Sequence, residues 1–364
     1  MNRKDAIAWM LRVCASLRLS QAKTLSELVL AACHLTRASL AELGRCLAMH
    51  TPVTVKAFIK RVDRFVGNAN VEPAEAMRGI VEFLAQPRKK LLILMDWVDI
   101  RSFPCIMLAA RIRGRALPLL WTICRDHELH RSRNNLEYAL FQLLRTMVPA
   151  STQIVVLADR GFGRAEMARE CQTLGFDFLI RIQPDVHVKH REYTGKLLDL
   201  PVTRGHQKVY RDVLYRSMNK PVTANVAVVW LESKDEPWFL LTSLPRLQGI
   251  QLTKLYARRM SIEEYFRDTK SLRNGFALRL TLIENPKRLE RLLLVLAIAY
   301  VLLVALGLHC STRYHGGHWC TTNRPNECSL VMIGHVMLPR LPAPAALMPM
   351  LRALRRELTD GNWG

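Results

Sequence analysis

Residues 292–308, LLLVLAIAYVLLVALGL, carry no charged side chain, so a helix formed there must be met by apolar material on every side. A bilayer supplies that environment for about 20 apolar residues, and this run falls slightly short of it. The centre of a large layered domain supplies it equally well. The flanking chain mixes charged, strand-like and helical patterns, so a buried core helix is expected and no membrane partner. Enclosing such a helix takes a large core, and 364 residues are enough for one with two or three structural units around it.

Lysine and arginine outnumber aspartate and glutamate by 53 to 31, a formal charge of +22. That excess favours a polyanionic partner, nucleic acid first and an anionic membrane surface second. The 9 cysteines are scattered without a C-x-x-C pair, so neither a disulfide framework nor a zinc ribbon is indicated, and a reducing cytosol fits. The opening MNRKDAIAWMLRVCASLRLS has the early charge of a leader, but Arg12 and Arg18 interrupt it and an amphipathic helix is expected. Near the other end, Cys310, His315, His318, Cys320 and Cys328 match no common zinc spacing and read as incidental loop residues. The segment MLRALRREL beyond them is a basic helix, either a contact for DNA or another protomer, or a solvated face.

The fold class expected is α/β. Residues 1–88 show helical periodicity. Within them Ser39, with Glu42 three residues later, starts one helix, Pro52 interrupts, and a second helix follows, a helix-turn-helix outline. At about 100° per residue, Val55, Phe58, Ile59, Val62, Phe65 and Val66 share one side of the second helix. Lys56, Lys60, Arg61 and Arg64 share the other, either lying on DNA phosphates or forming an ordinary solvated face. Residues 89–181 change to short apolar runs: three strands, helix, strand, helix, strand. Residues 182–250 alternate apolar and polar positions, with turn signals at Asn219, Lys220 and Pro221 and at Asp235, Glu236 and Pro237, and read as an inserted β unit. Residues 251–310 return to the core as helices, and 311–364 form a tail.

Two aspartates follow apolar runs, Asp96 after LLILM and Asp159 after IVVLA. Each is expected at the end of a buried strand, where open α/β sheets place their ligands; a lone aspartate there is also an ordinary turn residue. A third acid lies in YARRMSIEEYFRDTK, read as one helix. Tyr256, Arg259, Glu263 and Lys270 then fall within about a 60° arc, a polar stripe roughly 20 Å long, with Leu255, Ile262 and Phe266 turned inward. Such a stripe is either a ladder of ion pairs, Arg259 with Glu263 at i,i+4, or part of a site. Carboxylates converging from separate elements can hold two divalent ions about 3.5–4 Å apart for an in-line phosphoryl displacement, with the cationic side chains on the DNA phosphates.

The spacing Tyr256, two residues, Arg259, three residues, Glu263, six residues, Lys270 resembles the Y-(2)-R-(3)-E-(6)-K signature of the insertion-sequence-four family of bacterial transposases. LADRGF around Asp159 and DWVDIRSFPCIMLAARIRGRALPLLW from Asp96 resemble that family's other acidic motifs, and the likeness covers about residues 90–310. The resemblance implies a ribonuclease-H-like core with a β-rich insertion and an N-terminal helical DNA-binding domain. It implies that Asp96, Asp159 and Glu263 form a D-D-E triad binding two Mg²⁺ ions, for which Mn²⁺ can substitute. Water and then a freed 3′-hydroxyl would attack DNA phosphates, without a covalent enzyme intermediate. Tyr256, Arg259 and Lys270 would contact DNA near the cleaved end. The implied partners are double-stranded DNA, as terminal inverted repeats and as target, and a second copy in a synaptic homodimer; the implied location is cytoplasmic, on the nucleoid. Relatives that cut through a hairpin stack a flipped base on a tryptophan of the insertion. Trp238, carried as a DNA-binding candidate, and Trp230 both qualify, and both also read as packing residues. One departure is Val98, where the family often has threonine two residues after the first acid; Asp99 would point to the opposite face from Asp96.

Three classes of function thus compete: a metal-dependent DNA transposase, a DNA-binding regulator descended from one without its activity, and a membrane-associated basic protein. The acidic triad separates the first two, and the fate of residues 292–308 decides the third.

Overall fold

The computed structural model describes residues 3–49, 51–86, 90–130, 132–218, 220–271, 275–320, 328–341 and 346–359. Helices α1 (Arg3–Val13), α2 (Leu19–Ala32), α3 (Leu40–Ala48), α4 (Val55–Gly67) and α5 (Pro73–Ala85) open the chain. Ser39 caps α3 by accepting from the Glu42 N–H at 3.1 Å, and Thr54 caps α4 through the Ala57 N–H at 3.3 Å. The two helices cross at Gly44, where an added Cβ would stand 2.5 Å from Ile59 Cγ1 and 2.8 Å from its Cα. Only glycine permits that approach. Phe58, Val62, Phe65 and Val66 are buried as the periodicity requires, whereas Val55, at the first turn of α4, is exposed.

Strands β1 (Lys90–Ile100), β2 (Phe103–Ile112) and β3 (Arg115–Ile123) form an antiparallel meander, with Gly114 at φ +71° in the second turn. Helix α6 (Arg133–Met147) leads to β4 (Gln153–Ala158), and α7 (Ala165–Thr173) to β5 (Asp177–Arg181). β4 lies parallel to β1, and β5 parallel to β4. From Ile154 to its end β4 is wholly buried, as expected of a parallel strand covered on both faces. The chain continues with β6 (His187–His190), β7 (Tyr193–Lys196), β8 (Gln207–Tyr215), β9 (Val222–Val229) and β10 (Trp238–Thr242). These strands extend the core sheet, because β10 pairs antiparallel with β5. The described strands thus form one ten-stranded sheet in the order β3-β2-β1-β4-β5-β10-β9-β8-β6-β7. The turn residue Asn219 lies outside the described residues, as do 321–327 of the tail.

Helices α8 (Gly249–Ala257) and α9 (Met260–Lys270) follow, then α10 (Pro286–Ser311), α11 (Leu330–Met337) and α12 (Leu347–Thr359). The uncharged run is the body of α10, capped by Asn285 at the Arg288 N–H. It packs against β3, α2, α4, α5, α11 and α12, and 94% of its apolar window is buried inside the protein. Among the described residues it is the one helix long and apolar enough to cross a membrane, and protein surrounds it. Charges at its first turns tie the helical region to the sheet. The Glu290 carboxylate accepts from the Ile123 N–H at 2.7 Å, and Arg291 donates to the Val71 and Val66 carbonyls at 2.9 and 3.2 Å.

Candidate active site

The parallel register of β1 and β4 places Leu94 opposite Leu157. Asp96 and Asp159 stand two residues beyond that last pair, so the register, continued, sets the two acids side by side on one face of the sheet. The expectation that each ends its strand holds for Asp159, which follows Ala158 directly in extended conformation. It fails for Asp96, which sits inside β1 opposite Met107 of β2; the hairpin with β2 keeps β1 extended to Ile100 after its parallel partner has stopped. Asp159 Oδ1 accepts from the Gly161 N–H at 2.8 Å, which fixes its rotamer.

The third acid comes from a helix, α9, that packs on β1, β2 and β3. The helix expected over 256–270 is two helices. Arg258, Arg259, Ser261 and Ile262 donate to the carbonyls three residues back, Leu255, Tyr256, Arg258 and Arg259, at 3.1, 2.9, 3.1 and 3.1 Å. This 3₁₀ turn winds at about 120° per residue, so a single 100° stripe does not run through it. Tyr256 therefore belongs to α8 and is buried, its ring edge-on to Trp238 at 5.5 Å. Arg259 caps α9 and keeps its i,i+4 relation to Glu263. Leu255, Ile262 and Phe266 are buried as expected, while Glu264 and Asp268 turn to Arg115 of β3 at 3.3 and 2.9 Å.

Arg259 joins the acids. One guanidinium nitrogen lies 3.2 Å from Asp96 Oδ2 and the other is bonded to Glu263 Oε1. The Asp96 and Arg259 side chains are 15% and 12% exposed, Glu263 39%, so a strand acid and a helix acid meet at a largely enclosed cation. The Asp96 carboxyl is pushed up to about 6, first by burial and also by the charges of Asp159 and Glu263, against the pull of Arg259. Both other acids thus act on Asp96. Burial raises the Tyr256 phenol, with Arg259 and Arg181 opposing and Asp159 adding to it. Burial and Arg279 lower the half-buried Lys270 ammonium, which Asp99 and Asp96 attract.

The remaining candidates divide. Lys56, Lys60 and Arg64 are exposed on α4, a group apart from the acids, since α4 packs on α2, α3 and α10. Arg61 leaves that group: its guanidinium lies 2.7 Å from Glu27 and 3.1 Å from Thr24 Oγ1 of α2, an internal tie rather than a free cation. Trp238 lies beside the site, between Tyr256 and the Arg181 guanidinium at 5.3 Å. The Trp230 indole instead donates within its own loop, to the Lys234 carbonyl at 3.0 Å. Sequence reasoning missed Arg181, whose only signal is a cation closing the apolar run FDFLIR, and missed Glu137 and Arg164, which stand behind the two aspartates.

The family of transposase DDE domains matches residues 102–302, more than half of the chain. This protein belongs to that family. The matched span contains Asp159, Tyr256, Arg259, Glu263 and Lys270 and begins just after Asp96. No curated protein matches the chain. Membership makes the protein a transposase, an enzyme of DNA recombination in a mobile element whose partner is DNA, and its mixed α/β architecture with one large sheet is compatible with that family's domain. DDE transposases generally use divalent metal ions.

Whether the transposase's acids suit such ions is a question of donors and of space. Asp96, Asp159 and Glu263 offer only carboxylate oxygens, the hard donors that magnesium prefers. Among the described residues no three His, Cys, Asp or Glu side chains are grouped to hold one ion as they stand. The Arg259 guanidinium is the cation between Asp96 and Glu263. The donor types suit a divalent cation, while Arg259 neutralises Asp96 and Glu263 as they stand.

Proposed function

We propose that this transposase cuts DNA at the ends of its element and joins them to target DNA, cut-and-paste, with Asp96, Asp159 and Glu263 as its D-D-E triad. In the same proposal it is of insertion-sequence-four type, on a ribonuclease-H-like core, and acts as a homodimer that pairs two element ends on the nucleoid. The observation that carries this reading is the convergence on Asp96 of two acids from other elements, Asp159 just past the paired stretch of β4 and Glu263 of α9, whose charges both act on it.

Asp96, Asp159 and Glu263 would hold two Mg²⁺ ions, with Mn²⁺ as substitute. Bound there, the ions supply charge stabilisation to the attacking and leaving oxygens of an in-line displacement. In the first step a water oxygen bonds to the phosphorus at the element end, the P–O3′ bond breaks, and the 3′ oxygen leaves as a hydroxyl. In the second, that 3′-hydroxyl attacks a target phosphate and a new P–O3′ bond replaces the old one. The protein's own residues orient these steps. Burial and the neighbouring acids push the Asp96 carboxyl up to about 6 against the pull of Arg259, which also bonds Glu263 in the DNA-free protein. Lys270 and Arg259, at the two ends of α9, take backbone phosphates near the cut. Tyr256 and Arg181 hold Trp238 as an aromatic platform beside the acids. Lys56, Lys60 and Arg64 bind phosphates further along the element end.

Asp96→Asn, Asp159→Asn and Glu263→Gln, assayed one at a time for Mg²⁺-dependent nicking of the inverted repeats flanking the gene, are each expected to abolish nicking while end binding persists. Nicking retained in all three overturns the triad. One observation favours the second reading, a DNA-binding regulator without catalysis: Arg259 already fills the space between Asp96 and Glu263. A native protein that binds ends but never nicks them at saturating Mg²⁺ would establish it.

A further inference from the structure

Glu137 lies in the second turn of α6 with its side chain 1% exposed, a depth at which an acid is rarely found without partners. Its two oxygens serve two different parts of the site. Oε1 accepts from Trp97 Nε1 at 2.8 Å, and Oε2 accepts from Arg164 Nη2. Trp97 follows Asp96 on β1 and therefore points to the other face of the sheet, where α6 lies. The Arg133 guanidinium covers the Trp97 ring at 4.6 Å and closes that side. Arg164 belongs to the turn that follows Asp159. Its Nη1 donates to the Gly161 carbonyl at 3.0 Å, and the Gly161 N–H donates to Asp159 Oδ1 at 2.8 Å.

One carboxylate thus grips the strand residue beside the first acid and the loop that orients the second. We propose that Glu137 is a positioning residue for the transposition chemistry, holding Asp96 and Asp159 side by side through Trp97 and through Arg164 and Gly161. The inference rests on the D-D-E reading above. Physically, the pleat transmits the hold: with the Trp97 indole pinned on one face, the β1 backbone that carries Asp96 on the other cannot slide or twist without straining the Glu137 bond. The Gly161 turn is pinned likewise, since its carbonyl and its N–H are both engaged. Burial raises the Glu137 carboxyl, while Trp97 and Arg164 act to keep it charged. Supports of this kind behind metal-binding carboxylates typically matter about 10–100-fold in metal affinity or activity.

The experiment uses the full chain bound to its inverted-repeat DNA. Mn²⁺ is titrated by calorimetry under conditions without turnover, and nicking is measured against Mg²⁺ concentration. Glu137→Gln keeps an acceptor for Trp97 and removes the charge facing Arg164. It is expected to raise the Mn²⁺ dissociation constant and the half-saturating Mg²⁺ concentration together by about 10-fold or more, with end binding within about twofold. A merely structural role lowers the fraction of active molecules and leaves both constants in place, and that result overturns the proposal. Should Glu137→Gln not fold, Trp97→Phe, which keeps an aromatic ring at that place and deletes the indole N–H donor, is expected to move both constants in the same direction, and unmoved constants there overturn it equally. Nicking that survives in Asp96→Asn and Asp159→Asn sinks the D-D-E reading. Nicking lost in those two, with wild-type metal constants in Glu137→Gln, sinks the positioning role alone.

Discussion

The acid cluster and the basic face of α4 are both charged surfaces of one protein, yet they hold their charge in opposite ways. Asp96 and Glu263 both meet the Arg259 guanidinium, and the Asp96 carboxyl is pushed up to about 6 by burial and by its acidic neighbours. Lys56, Lys60 and Arg64 stand apart in solvent on a helix whose other face is buried. Crowded charge is costly and responds to single ions and protons. Dispersed charge is cheap, is screened by salt, and adds roughly linearly. The first arrangement suits chemistry on one phosphate, and the second suits holding many.

The largest expected difference is in kinetics. Asp96→Asn should lower nicking by at least about 10³-fold, since residues acting as one unit fail together, and leave the salt dependence of end binding unchanged. Gel-shift titrations at several salt concentrations beside the nicking assay check both halves, and a changed salt slope would erase the contrast.

The next effect is on stability. The folded-state pKa of Asp96, about 6, lies above the usual 3.8, so the native state binds more protons between those values and loses stability as pH rises through them. Asp96→Asn removes that loss. Metal-free Asp96→Asn should be more stable than the native chain at pH 7–8 by up to about 3 kcal/mol, with the advantage shrinking as pH falls toward 4. Urea melts across that range would show it, and an advantage independent of pH would deny that the charge is crowded.

A gentler effect is expected on α4. Lys56→Ala, Lys60→Ala and Arg64→Ala combined should reduce the slope of log affinity against log salt by up to about 3 and leave the nicking rate at saturating DNA unchanged. The smallest belongs to Arg61→Ala. Its guanidinium is committed to Glu27 and Thr24, so it should cost about 0.5–1 kcal/mol of stability and leave the salt slope alone. A slope changed as much as by Lys60→Ala would return Arg61 to the DNA face.

What the sequence discloses follows the range of the interactions involved. The apolar run of α10, the capped α3 and α4, the strand runs ahead of Asp96 and Asp159, and the i,i+4 pair of Arg259 with Glu263 all depend on neighbours within a few residues, and all were legible. The 3₁₀ turn at Arg258 and Arg259 was not, because neither glycine nor proline marks it. The mid-strand place of Asp96 depends on pairing with β2, and the extension of the core sheet by β10 on pairing with β5. Arg61 meets Thr24 37 residues away, and Glu137 meets Trp97 and Arg164 at separations of 40 and 27. A glutamate within NNLEYALFQLLRTMV looks like any other helical glutamate until the sheet behind it is built.

Everything proposed for the chemistry turns on Asp96, Asp159 and Glu263 being able to close on metal once Arg259 yields its place. The most direct measurement is a crystal structure of the transposase on its end DNA with Mn²⁺, located by anomalous scattering. Manganese ligated by oxygens of all three acids, with the Arg259 guanidinium moved off Asp96 onto a DNA phosphate, is the expected result. Manganese absent from those carboxylates, with Arg259 still bridging Asp96 and Glu263, would contradict it.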